Sequence, residues 1–147
     1  MAKMSFEGLD EYILKLEKLT DNTEEAMKKA LYKGAGIVAD SVKAAISSVP
    51  VDDEYVPKGE LREGIRSEEK AILPGGFGIA RFRNEGSSIT TSIGFKGKAA
   101  RIAAKVENGT SYMKKFPFIR RAVNRSKASA EAAMAKVFDE EINKIMN

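Results

Sequence analysis

Apolar positions along the chain change period more than once, and each change predicts a different element. Leu9, Tyr12, Ile13, Leu16 and Leu19 recur at three- and four-residue spacing, which lines one side of a helix until Thr20-Asp21-Asn22 breaks the run. A short N-terminal packing helix is expected there. The pattern restarts at Thr23, which suits a helix cap, with Glu24 and Glu25 favourable in the first turn. Ala26, Met27, Ala30, Leu31, Gly34, Ile37, Val38, Ser41, Ala45 and Ile46 then trace a stripe that predicts a long helix to about Ser48. Gly34 and Gly36 each cost a helix interior about 1 kcal/mol against Ala, so the helix either meets a close neighbour there or bends. Lys28, Lys29, Lys33 and Lys43 fall where a solvated face is expected.

Val49-Pro50-Val51-Asp52-Asp53-Glu54-Tyr55-Val56-Pro57-Lys58-Gly59 ends this helical arm, because two prolines and an acidic cluster favour a loop, flexible at about 50–60. From Leu61 to Glu107 the signals shorten. Ile65, Ala71-Ile72-Leu73, the Phe77–Phe82 segment and the Ile89–Phe95 segment read as strand-like units separated by Pro74-Gly75-Gly76 and Asn84-Glu85-Gly86. Ala99 to Val106 is a further strand candidate that fits a short helix equally well. Beyond Pro117, the residues Phe118, Ile119, Ala122, Val123, Ser126, Ala130, Ala133, Met134, Val137, Phe138, Ile142 and Ile145 restore a helical period almost to the terminus. The pattern as a whole predicts an α+β fold: an antiparallel sheet of about four strands, packed with a long helix in the N-terminal half and a long C-terminal helix, plus the short N-terminal helix.

Val106-Glu107-Asn108-Gly109-Thr110-Ser111 and the following Tyr112-Met113-Lys114-Lys115-Phe116-Pro117 link these regions. A strand end meeting a glycine turn there would tie the sheet to the final helix. Glu107 stands in a basic neighbourhood, where pairing with Arg101, Arg120 or Arg121 would hold the junction.

At 147 residues the chain fits a single domain, residues 1–147. Composition removes several function classes. With no Cys and no His there is no disulfide framework, thiol nucleophile, imidazole base or Cys/His zinc site. Asp52, Asp53 and Glu54 lack the alternating ligand positions of a calcium loop, so a solvated acidic loop without metal is expected. Gly75-Gly76-Phe77-Gly78 and Gly94-Phe95-Lys96-Gly97-Lys98 match neither a Walker loop nor a dinucleotide fingerprint, and read as turns. Asp40, Glu54, Glu63, Glu68, Glu69 and Glu107 are carboxylates that the sequence brings into no defined catalytic pair. No enzyme activity, catalytic residue or cofactor is therefore predicted. No apolar run approaches the 18 or so residues of a membrane span, and the first seven residues turn acidic, so a cytosolic product without membrane association is expected.

Charge is segregated. Residues 96–127 hold ten Lys and Arg against Glu107 alone, a local balance of +9, which leaves −5 for the remainder of a +4 chain. Such a division complements an acidic protein neighbour, approaches packed DNA, or disperses around the folded surface. No zinc-finger spacing or RNP signature accompanies it.

Four short motifs, taken in order, resemble a known family. Gly8-Leu9-Asp10, Gly59-Glu60-Leu61-Arg62-Glu63-Gly64-Ile65, Val106-Glu107-Asn108-Gly109-Thr110-Ser111 and Phe116-Pro117-Phe118-Ile119-Arg120-Arg121-Ala122 look like the tail-component family of long-tailed bacteriophages and prophages, from Phe6 to about Val137. The family tends to carry an aromatic where this chain has Asn108, and often Arg-Pro where it has Phe116-Pro117. The resemblance implies a noncatalytic virion protein that completes the tail or joins it to the head, as a ring of six subunits. Its partners would be a head connector or stopper protein and a tail tube or terminator protein. It implies synthesis in the host cytoplasm and residence at the head-tail interface. By position, Glu107, Gly109 and Thr110 match the family's turn, and Pro117, Phe118 and Arg120 its helix entrance. Opposed charges suit a ring, so Asp52, Asp53 and Glu54 on one subunit facing Lys114 and Lys115 on the next are the expected assembly edges. A basic protein contacting DNA nonspecifically is the alternative.

Overall fold

The computed structural model describes residues 2–6, 11–17, 23–80, 82–84, 86 and 88–146. Strands β1 (Ala2–Phe6) and β2 (Glu11–Glu17) come first, followed by helix α1 (Glu24–Ile46) and helix α2 (Ser67–Gly76). Three further strands, β3 (Phe77–Ile79), β4 (Arg83–Asn84) and β5 (Ser88–Phe95), precede helices α3 (Gly97–Asn108) and α4 (Phe118–Met146). The sheet runs β1-β2-β5-β3, with β4 also on β5, and every pairing is antiparallel. The α+β expectation and both long helices are borne out.

The N-terminal element is a correction. Glu11–Glu17 forms a strand instead of part of a helix, and pairs on both sides: Ile13 with Ser5 and Ser92, Leu16 with Ala2 and Ile89. Leu14 and Leu16 are buried, an alternation that serves a strand as well as the i, i+3, i+4 spacing serves a helix. Two hydrogen-bonded neighbours decide the choice. Gly8, Leu9, Asp10, Leu19 and the Thr20-Asp21-Asn22 interruption lie outside the described residues, as do Arg81 and Glu85.

Ala71-Ile72-Leu73 is also not a strand. Ser67, Glu68 and Glu69 open α2, where the Glu69 carboxylate reaches back to the Arg66 backbone N–H (3.1 Å), and Pro74-Gly75-Gly76 forms the last helical turn. Ala99–Val106 takes its helical alternative, inside α3.

Helix α1 contacts β2, β3 and β5 on one side and α4 on the other, which explains why it buries residues on two faces. Ile89 and Ile93 on β5 meet it beside Leu14 and Leu16. Helices α1 and α4 run antiparallel: Lys29 pairs with Glu141 (3.0 Å), Gly34 faces Met134, and the Ser41 hydroxyl donates to the Ala122 carbonyl (3.0 Å). Gly34 answers the question its sequence position poses, since a Cβ there would lie 2.5 Å from Met134 Cγ. Gly36 has no such neighbour within 4 Å.

Candidate functional site

The α3–α4 junction and the loop after α1 meet on one side of the domain. Gly109 ends α3 with φ +74°, ψ 174°, a backbone region nearly restricted to glycine. A Cβ at Gly109 would also fall 2.9 Å from the Lys115 nitrogen, so the position excludes side chains on two counts. Thr110 and Met113 exchange backbone hydrogen bonds (3.0 and 3.4 Å), and Phe116 N–H donates to the Val106 carbonyl (2.7 Å), which folds the chain back before Pro117. Because Val106 and Glu107 belong to α3, the junction joins helix to helix and not sheet to helix. This corrects the expectation.

Glu107 is the chemical centre of the turn. Its side chain is 2 % exposed, and its carboxylate oxygens accept the N–H groups of Ile119 (2.8 Å) and Arg120 (3.1 Å) in the first turn of α4. Those donors have no partner inside the helix, so Glu107 caps α4 from another element. Burial pushes the carboxyl above its usual value, against the Ile119 and Arg120 hydrogen bonds and the charges of Arg120 and Arg121. The expected arginine pairing is thus replaced by backbone donors, with the two arginines acting at longer range. Phe118 fixes the same turn to the sheet through an edge contact with Phe95 (6.1 Å), which in turn meets Phe77 (5.0 Å). Arg121 lies over the Phe116 ring at 5.0 Å.

A strap joins this junction to the proline loop. Arg62 N–H donates to the Tyr112 carbonyl (2.9 Å) and Lys114 N–H to the Arg62 carbonyl (3.0 Å), a short parallel bridge over the buried Met113. Lys114 Nζ then meets Glu63 at 2.7 Å on the surface. Within the loop, Asp52 accepts the N–H groups of Glu54 and Glu63 (3.2 Å each), and Asp53 accepts that of Ser67 (2.9 Å). The Ser67 hydrogen bonds hold the Asp53 carboxyl below its usual range. Arg66 Nη1 binds the carbonyls of Asp52 and Glu54 (2.8 Å each). Gly64 is required by proximity, since a Cβ would run into the Pro50 carbonyl.

Three links in this region are not legible in the sequence. Glu69 pairs with Lys105 (2.6 Å) and lies 3.7 Å from Arg62, coupling α2, α3 and the strap. Burial would raise the Glu69 carboxyl, but the Lys105 hydrogen bond, the Arg66 N–H and the charges of Lys105 and Arg62 outweigh it and hold the group below its usual value. Lys70 Nζ donates to the carbonyls of Ser47 and Val49 (2.9 and 2.8 Å), closing the end of α1. The nearest sequence signal is the Gly59–Ile65 motif, which contains Arg62 and Glu63 of the strap but neither Glu69 nor Lys105.

Of the expected site residues, Glu107, Gly109, Thr110, Pro117, Phe118 and Arg120 come together at the junction. Asp52, Asp53, Glu54 and Lys114 share the strap surface, and Lys115 is exposed next to Gly109. Among the described residues no group of three or more Asp or Glu is arranged to hold a metal ion, and no helix is long and apolar enough to cross a membrane.

A protein-family model matches most of the chain. The HK97-gp10_like family model, described as "Bacteriophage HK97-gp10, putative tail-component", matches residues 10–117. The matched region runs from the start of β2 through the strap to the last residue before α4. No curated protein and no solved structure matches the chain.

Proposed function

The chain belongs to the HK97-gp10-like family of bacteriophage tail components, and from that premise we propose that it is a noncatalytic structural protein that completes the tail or joins it to the head connector, assembled as a six-membered ring at the head-tail interface. The observation that carries the reading is the family match, which spans the loop, the strap and the Glu107–Gly109 turn. Its partners in the particle are further copies of itself, a connector or stopper protein on the head side, and a tube or terminator protein on the tail side.

The strap surface is the part of the molecule best suited to such contacts. Loop and Lys114 lie on one composite edge, because Glu63 bonds both Asp52 and Lys114, so in a ring this edge meets a different face of the next subunit and not its own copy. Tyr55 on the loop is 86 % exposed, and Leu61 and Tyr112 on the strap are half exposed. Exposed Tyr55, Leu61 and Tyr112, with Asp53, Glu54, Lys114 and Lys115 exposed on the same loop and strap, supply the residue types of a protein interface, aromatic and aliphatic anchors beside charges. Internal hydrogen bonds at Asp52, Asp53 and Arg66 fix the backbone that carries Tyr55, which lowers the ordering cost of association.

Size-resolved mass measurement of the purified chain, wild type against K114E/K115E and Y55A, tests the edge. The proposal expects a closed oligomer for wild type, or its formation on addition of tail tubes, and loss of that species in the variants with an unchanged circular-dichroism spectrum. Normal oligomers and normal particle joining by all three proteins would reject this edge.

A further inference from the structure

A second charged surface lies on the solvent face of α4, starting at the junction that the strap meets and running along the helix away from its start. Arg120, Arg121, Arg125 and Lys127 are all exposed, with Asn124 exposed between them. At 100° per residue these five positions fall on one face, and they span about 10 Å of helix at 1.5 Å per residue. Among the described residues, none of the four cations has a carboxylate within the 4.0 Å of an ion pair. Elsewhere in the basic segment Lys105 is paired with Glu69 and Lys114 with Glu63, while the remaining cations are spread over α3 and the junction and not gathered on one helix face.

Two features separate this face from a solvated helix surface. First, Arg120 and Arg121 lie in the first turn of α4, where the helix dipole is positive, and that turn contains no acid. That arrangement disfavours the folded state, except as Arg120 and Arg121 support the buried Glu107 charge. Arg125 and Lys127 lie beyond the first turn and do not act on Glu107, so they extend the positive face without a structural partner among the described residues. Second, no large apolar side chain is exposed between Arg120 and Lys127. An interface with another protein would need an apolar or aromatic anchor, as the strap has; a face of long cations and one amide needs only phosphates.

We infer that the α4 face binds the sugar-phosphate backbone of double-stranded DNA, without reading sequence. The backbone N–H groups at the start of α4 take no part, since Glu107 occupies those of Ile119 and Arg120. Arginine forks and a lysine would each neutralise a phosphate, and a duplex presents a charge every 1.7 Å or so along its axis, ample for four contacts over this length. None of the four cations belongs to the strap itself, and the variants below change only Arg125 and Lys127.

Fluorescence anisotropy of the full chain with a labelled duplex of arbitrary sequence, titrated over salt, tests it. Four phosphate contacts predict a slope of about −3.6 in log K against log salt, a loss of roughly 100-fold between about 50 and 200 mM. R125E/K127E, placed beyond Glu107, should reduce the slope by about 2 and weaken binding at least tenfold at about 50 mM salt. K33E/K43E on α1 changes net charge equally and should alter affinity by less than about threefold. Should R125E/K127E unfold, R125A/K127A serves in its place. Absence of duplex binding at low salt, or equal loss in both double variants, would overturn the inference. Equal affinity for polyglutamate would also overturn it, and would assign the face to an acidic protein partner. Because the strap is untouched in these variants, loss of DNA binding with normal oligomers would leave the tail-joining reading intact.

Discussion

Replacing Glu107 probes the link between the glycine turn and α4 most sharply. Glu107→Ala leaves the Ile119 and Arg120 N–H groups without their acceptor in a site that is 2 % exposed. Each orphaned buried donor costs about 1–3 kcal/mol, so a total of about 2–4 kcal/mol is expected once some rehydration of the Arg120 end is allowed for. That is a large part of the stability of an ordinary domain, about 5–15 kcal/mol. Glu107→Gln keeps one acceptor and turns an amide N–H₂ toward the other donor, so about 1–2 kcal/mol is expected. Urea unfolding followed by circular dichroism measures both, and an unchanged denaturant slope would show that the folded and unfolded surfaces are otherwise unaltered. The pH dependence has a defined sign. Burial raises the Glu107 carboxyl above 4.5, so the folded state holds this proton more tightly than the unfolded state. Its contribution is fully present below the ordinary value and declines as pH rises through the raised one. The cost of Glu107→Gln should therefore shrink over that interval. A loss below about 0.5 kcal/mol for Glu107→Ala would refute the capping role.

Four further substitutions test other links. Gly109→Val forces a β-branched side chain to φ +74° against the Lys115 backbone, and should cost about 2–4 kcal/mol, read as a fall of roughly 6–12 °C in Tm by calorimetry. Gly34→Ala should destabilise by about 1–3 kcal/mol through its clash with Met134, whereas Gly36→Ala, in open space on the same helix, should stabilise by about 0.5–1 kcal/mol; equal effects would contradict the α1–α4 packing. Glu69 is held below its ordinary value of 4.5, so its contribution is present above that value and disappears as pH falls through the lowered one. Glu69→Gln should accordingly be less stable than wild type at neutral pH and show a shallower acid decline in Tm, and parallel acid profiles would remove Glu69 from the network.

How much of this was legible in the sequence depended on whether local chemistry or partners decided the structure. Helices α1 and α4 are long, periodic and bounded by Thr23 and Pro117, and their positions follow from those signals. Strand β2 is ambiguous locally: Tyr12, Ile13 and Leu16 suit a helix, while Leu14 and Leu16 suit a strand, and only the flanking β1 and β5 settle it. Helix α2 hides behind Pro74-Gly75-Gly76, which resembles a turn, although Ser67-Glu68-Glu69 is an acceptable helix start. At the junction, Gly109 was legible because a backbone constraint is written in one residue. The use of Glu107 was only half legible, since a carboxylate among arginines suggests ion pairs, whereas the structure gives it backbone donors. Contacts such as Glu69 with Lys105, 36 residues apart, have no trace in local sequence.

Cryo-electron microscopy of assembled particles bears most directly on the tail-joining assignment. Density matching this fold is expected between the head connector and the tail tube, as a ring of six copies with the strap surface of each at the subunit boundary. Density confined to the capsid shell or the distal tail would contradict it.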